Sequence, residues 1–217
     1  RVTGFQEKPA RPKTIPGDSR QVYASMGIYI FSRKILEEIL AQDADNKRSG
    51  HDFGADILPH MVKSGYTVYA YNLKDENRKE AKYWRDIGNL DAYYEANMDL
   101  VQVSPVFNLY DREWPIRTYQ EQNPPAKTVF AQTSEEGGRR GMALDSLVSP
   151  GCIISGGLVE RSVVSPNVRV NSYSQVFESV VMEGVDIGRR AKIRRAIIDK
   201  DVRIPKNEEI GYDLKKD

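Results

Sequence analysis

From Val148 onward an aliphatic residue returns at every fifth or sixth position: Val148, Ile154, Val159, Val164, Val170, Val176, Val181, Ile187, Ile193, Ile198, Ile204 and Ile210. That period excludes an amphipathic helix, which repeats by about 3.6, and a half-buried strand, which alternates by two. It fits a parallel β-helix, in which each coil turns its aliphatic side chains inward onto those of the next. Small residues or proline follow several of these positions, as in Ile154-Ser155-Gly156 and Ile204-Pro205, and further apolar residues recur four positions on at Val168, Val185, Ala191, Ile197 and Val202. The sequence therefore predicts an all-β domain over 146–217.

The first 103 residues follow a different rule. VYASMGIYIF, 22–31, reads as a buried strand, and the following KILEEIL places Ile35, Leu36, Ile39 and Leu40 on one helical face with Ser32 as its cap. A second helix is expected from about Ala55 to Lys63, ended by Gly65, then a strand in YTVYAYNL. Leu90, Tyr94, Asn97, Met98 and Val101 then repeat at helical spacing. Alternating strands and helices predict an α/β layer over 1–103. Residues 104–145, with Pro105, Pro115, Pro124, Pro125 and the stretch EEGGRRG, read as a linker, and GGRRG as a mobile loop.

Charge and composition exclude several classes. The 32 basic and 31 acidic residues nearly cancel, so nothing calls for nucleic acid or an anionic membrane, and any anion site must be local. The apolar runs, such as Met26 to Phe31, fall far short of the ~20 residues needed to span a bilayer. One cysteine, Cys152, rules out an intrachain disulfide, points to a reducing compartment, and reads as a small residue packed in the first coil. His51 and His60 have no cysteine or third histidine nearby and do not read as metal ligands. DFG at 52–54 spells a kinase metal motif, but no HRD segment or glycine-rich loop accompanies it.

FQEKP at 5–9, YASMGIYIF, SGHDFGADILPHMV, YWRDIGNLDAYYEANMDLV, LYDREWPIRTYQEQNPPAK and IIDKDVRIP occur in one order ahead of and within the repeat. In this order the chain resembles the sugar-nucleotide pyrophosphorylases, and among them the bacterial ADP-glucose pyrophosphorylase family. The resemblance covers essentially the whole chain. It implies the C-terminal part of a Rossmann-like nucleotidyltransferase domain followed by a left-handed parallel β-helix of hexapeptide repeats. It also implies a reaction in which ATP and glucose 1-phosphate give ADP-glucose and pyrophosphate, with Mg²⁺ as cofactor, in the cytoplasm, for glycogen or starch synthesis. Such chemistry holds two anions in line and neutralises their charge, so positioning and electrostatics supply most of the rate.

By the same resemblance Lys8 holds the sugar phosphate, a role for which a compact ammonium is suited, and Glu7 accepts from sugar hydroxyls. Ser25, Tyr29, Asp52 and Phe53 line the sugar pocket, Trp84 packs on the sugar, with burial in the core as its rival role, and Asp86 is one of two carboxylates on the metal. The family's glycine-rich nucleotide loop and second metal aspartate are not found in the sequence, so this chain alone is expected to bind no ATP and to be inactive. Between Arg189 and Lys206 lie eight basic residues against Asp199 and Asp201. In the family, phosphorylated metabolites and adenine nucleotides act as effectors, and Lys200 falls at the effector site; the other basic residues read as a solvated face. The family assembles as tetramers, partly through the β-helix. Three alternatives stay open or are set aside: a non-catalytic assembly subunit, a pyrophosphorylase for another sugar nucleotide, and a hexapeptide acyltransferase, which would need a histidine base that the repeats lack.

Overall fold

A computed structural model describes residues 1–74, 83–113, 115–132, 138–213 and 215. Two compact units divide the chain, Arg1–Trp84 and Arg85–Asp217. No helix among the described residues is long and apolar enough to cross a membrane.

Three parallel sheets form the solenoid of the second unit, which makes about four turns. One sheet stacks Lys127–Val129, Ile153–Ser155, Arg169–Val170, Asp186–Ile187 and Arg203–Ile204. Another stacks Met142–Leu144, Leu158–Glu160, Gln175–Phe177, Lys192–Arg194 and Glu209–Ile210, and the last Leu147–Val148, Val163–Val164, Val180–Val181 and Ile197–Ile198. The register turns the periodic aliphatics into three inward columns: Ile154, Val170, Ile187, Ile204; Ala143, Val159, Val176, Ile193, Ile210; and Val148, Val164, Val181, Ile198. Most of these side chains are fully buried, each removing apolar area worth about 1.5–3 kcal/mol. The second apolar series behaves unevenly. Val168, Val185 and Ala191 are buried, whereas Ile197 is only half-buried and Val202 is exposed. Ile197 precedes the inward Ile198 in its strand, so it takes the opposite face.

Corners between the sheets require left-handed backbone. One corner column, Asp145, Arg161, Glu178 and Arg195, has φ between 45° and 50° at every level. Beside it runs a ladder of serines. Ser146, Ser162 and Ser179 each accept, through Oγ, the amide N–H one coil on, from Ser162, Ser179 and Ala196 at 3.0, 3.1 and 3.2 Å. Each hydroxyl also donates to the carbonyl two residues before it, of Leu144, Glu160 and Phe177. Buried hydroxyls are thus paired on both sides, as their desolvation demands.

The solenoid begins earlier than the period suggests. Lys127–Val129 and Met142–Leu144 pair in parallel with Ile153–Ser155 and Leu158–Glu160, inside the stretch read as linker. An excursion hides them from the period: Gln132 N–H donates to Arg139 O, and Gly141 N–H to Phe130 O. Nor are the described arginines of GGRRG loose. Arg139 stacks on the Phe130 ring 3.5 Å from its centroid and donates to Ser172 Oγ, and Arg140 donates to the Gln132 carbonyl. Residues 133–137 lie outside the described ones. Cys152 is buried, donates to Ser165 O at 3.0 Å, and its thiol is pushed up by that burial, which fits a packing role.

In the second unit a helix, α3 (Leu90–Leu100), is capped by Asn89, whose side chain accepts from Ala92 N–H. Arg85 holds its outer face with bonds of 2.7 Å to Glu95 and 2.8 Å to Asp99.

In the first unit α1 (Arg33–Ala44) and α2 (Leu58–Lys63) pack through Ile39, Ile57, Leu58 and Met61 against Phe5, Tyr29, Phe31, Ile35, Phe53, Tyr66 and Val68. The predicted second helix opens as a π-helical turn, Phe53–Ile57, and closes where Tyr66 N–H reaches Met61 O and Gly65 N–H reaches Val62 O. Ser32 stands at the start of α1 without a side-chain capping bond. The two stretches expected as strands, 22–31 and 66–73, form no ladder among the described residues: the first is bent at Gly27, and the second takes a lone backbone bond from Val2 N–H to the Val68 carbonyl at 2.8 Å. Their alternation survives. Tyr29 and Phe31 turn to the core while Ile28 and Ile30 turn outward, Ile30 fully exposed, so 22–31 is not the buried strand expected.

Candidate functional site

The first unit links five of the predicted site residues, two of which meet at one glycine. A Cβ built on Gly54 would collide with the Glu7 carboxylate and press on Asp52 Oδ1, so the missing side chain lets two carboxylates approach there. Asp52 ends the preceding loop and caps the π-helical turn, its Oδ1 accepting from Gly54 and Ala55 N–H at 2.7 Å each. Those bonds fix the carboxylate and leave Oδ2 without a hydrogen bond among the described residues.

Phe53 stacks on Tyr29 at 5.9 Å between centroids, and Phe31 tilts against both. Tyr29 in turn bonds Ser25, Oη to Oγ, at 2.9 Å. A straight strand would set these two Cα atoms about 13 Å apart. A bend at Gly27, with φ +69° and its N–H held by Ser25 Oγ, brings the hydroxyls together instead. The result is a wall of one phenol, one hydroxyl and one aromatic face beside two carboxylates.

Lys8 lies next to this group with its side chain 84% exposed and Nζ 3.8 Å from Glu7 Oε1. Its φ of +40° turns the chain sharply between Glu7 and Pro9. A solvated ammonium tethered only loosely to a carboxylate can exchange that partner for a phosphate at little cost. Trp84 is 44% exposed, so it is not a core residue of its unit. Asp86 belongs to the second unit, where its carboxylate lies over Gly88. Lys200 is exposed on a solenoid turn, its own N–H donating to Asp199 Oδ1 at 2.8 Å.

Sequence reasoning missed the residues that hold the SGHDFG loop. Asp43, from the last turn of α1, accepts from Ser49 Oγ through Oδ1 and pairs with His51 Nδ1 through Oδ2, both at 2.7 Å. Asp56 Oδ2 accepts from the N–H groups of Gly50 and Asp52 at 3.1 Å. The Ser49 hydroxyl, then His51, hold the Asp43 carboxyl below its usual range. The spacing of Asp56, four after Asp52, was a legible hint; Asp43 had none.

Residues 1–103 match the nucleotidyl transferase family, and residues 124–217 match the GlmU-like C-terminal hexapeptide family. Over its whole length the chain is 57% identical to a glucose-1-phosphate adenylyltransferase of Koribacter versatilis, of which it covers 51%. Proteins of the same description from Rhodopirellula baltica and Methylobacillus flagellatus are each 52% identical to the full chain, which covers 48% and 50% of them. The chain spans about half the length of these relatives.

Proposed function

We propose that the protein carrying this chain is a glucose-1-phosphate adenylyltransferase, since residues 1–103 match the nucleotidyl transferase family, residues 124–217 match a hexapeptide family, and the whole chain is 57% identical to a protein of that description. A phosphate oxygen of glucose 1-phosphate attacks the α-phosphorus of ATP, the bond to the β-phosphate bridge breaks, and ADP-glucose and pyrophosphate result. The observation that carries this reading is a linked set of five residues: Glu7 and Asp52 meet at Gly54, Phe53 stacks on Tyr29, and Tyr29 bonds Ser25.

In this reading the segment supplies the sugar-phosphate side of the reaction. Lys8 takes the phosphate, and Glu7 with the free Oδ2 of Asp52 accepts from sugar hydroxyls. Ser25 and Tyr29 offer hydroxyls that can donate or accept, and Phe53 and Trp84 supply apolar faces for the sugar ring. Asp86 suits Mg²⁺ as a hard oxygen ligand, exposed and without an ion-pair partner among the described residues, since Mg²⁺ takes one or two carboxylates plus substrate phosphates. Bound there, the ion would neutralise phosphate charge as the pyrophosphate departs.

The basic solenoid end with Lys200 is assigned to an anionic effector, the protein to the cytoplasm, and its assembly to a homo-oligomer, the tetramer that the sequence resemblance implies. The test is pyrophosphate release from ATP and glucose 1-phosphate with Mg²⁺, run on the 217-residue chain and on the full-length protein. Release by the full-length protein alone is the expected result. Silence from the full-length protein sinks the assignment, and turnover by the chain alone shows that it holds the ATP site as well.

A further inference from the structure

The loop that delivers Asp52 and Phe53 is held from both sides by carboxylates that do not themselves face the site. We propose that Asp43 and His51 are positioning residues for sugar-phosphate binding, a clasp that sets where the Asp52 carboxylate and the Phe53 ring stand; the inference rests on the functional reading above.

Asp43 reaches the loop from the last turn of α1 with its side chain only 14% exposed. Its two oxygens are divided, Oδ1 to the Ser49 hydroxyl and Oδ2 to His51 Nδ1. An ionised carboxylate only accepts, so the proton on this contact sits on Nδ1 of the imidazole. The Ser49 hydroxyl, having donated to Asp43, accepts the His51 N–H at 3.0 Å. His51 is therefore bound at both backbone and ring, and it needs to be. Its φ of +58° is left-handed, a conformation a histidine keeps only where its surroundings over-determine it.

The next residue is Asp52, whose φ of −97° and ψ of 135° aim its carboxylate back at Gly54 and Ala55. Asp56 holds the same loop from the far side through Gly50 and Asp52. Releasing His51 lets it relax to a negative φ, which re-aims Asp52 and Phe53 together. A shift of about an ångström at a positioned group is enough to cost a large factor in binding or rate. Because the clasp holds the residue next to Asp52 and Phe53, its loss falls on the sugar phosphate that those two are proposed to bind.

The experiment compares His51→Ala and His51→Asn in the full-length protein, reading KM for glucose 1-phosphate, KM for ATP and thermal unfolding. Asparagine offers a side-chain N–H close to where Nδ1–H stood and accepts a left-handed φ. His51→Ala should raise KM for glucose 1-phosphate about tenfold or more, with KM for ATP within about twofold, and His51→Asn should restore most of the loss. An unchanged sugar-phosphate KM, an equal rise for both substrates, or asparagine no better than alanine overturns the proposal. Should the alanine variant not fold, His51→Gln, whose longer amide misses the Nδ1 position, is read in its place against the same outcomes. If the unsubstituted protein forms no ADP-glucose, the functional reading itself has failed; if it does and His51→Ala matches it, the clasp alone is refuted.

Discussion

Tyr94 Oη donates a 2.6 Å hydrogen bond to the backbone carbonyl of Glu178, fastening α3 to a left-handed corner of the solenoid. The same helix side, with Met98 and Val101, and the corner column of Asp145, Arg161, Glu178 and Arg195 line an open cleft of about 420 Å³. Burial, and after it the Glu178 carboxylate, pushes the Tyr94 phenol above its usual value. Tyr94→Phe keeps the ring and removes the donor, so we expect about 1 kcal/mol less protection of the α3 amides in hydrogen exchange. The pH dependence has a fixed sign. A raised phenol pKa contributes stability in full below the unfolded value of about 10, lost as pH rises through the folded one. Protection in the unsubstituted chain should fall above about pH 10 while the phenylalanine variant shows no such step.

The serine ladder makes a sharper prediction because Ser162 and Ser179 have no access to water. Ser162 is 0% exposed, and its Oγ is the acceptor for the Ser179 N–H. Ser162→Ala leaves that amide buried and unpaired, which costs about 1–3 kcal/mol. Ser149, half-buried outside the ladder, should lose under about 0.5 kcal/mol on the same change. Equal losses in denaturant unfolding would show that the ladder bonds carry no special weight.

What could be read in advance divides by physics. The aliphatic period reports which side chains turn inward, and the three columns follow from it directly. The ladder and the corners did not show, because serine is written the same whether solvated or buried, and the left-handed corner positions are filled by Arg161, Glu178 and Arg195, residues that carry no turn signal. Strand 22–31 failed for another reason: alternation fixes the two faces of a segment, but a ladder needs a neighbour. The candidate site was proposed from residue types and a family resemblance, while Asp43 and Gly54 act through close approach, which no spacing along the chain encodes.

Gly54→Ala tests that approach. The atom an added Cβ would strike first is the far end of the flexible Glu7 side chain, which can swing away, so stability should change little. On the proposed reading, Glu7 displaced from its place loses a hydrogen bond to the sugar. KM for glucose 1-phosphate in the full-length protein should rise about tenfold, and Glu7→Gln added to Gly54→Ala should cost less than it does alone. Independent, additive losses would place Glu7 outside the sugar site.

The proposed effector role of Lys200 can be tested apart from catalysis. The residue's turn is fixed by hydrogen bonds, since Lys200 N–H bonds Asp199 Oδ1 and Asp201 N–H bonds the Glu183 carbonyl at 2.9 Å, whereas its side chain is exposed, as are Arg203 and Lys206 a few residues on. Removing the ammonium therefore takes away charge without disturbing the core beneath. Such a local positive field attracts phosphorylated anions even though the chain is close to neutral overall. Lys200→Ala in the full-length protein should weaken the response to AMP or to a sugar bisphosphate by about tenfold or more, the size of a lost hydrogen bond between charged groups, with KM for glucose 1-phosphate unchanged. An effector titration that overlays that of the unsubstituted protein would return this basic end to the role of a solvated face.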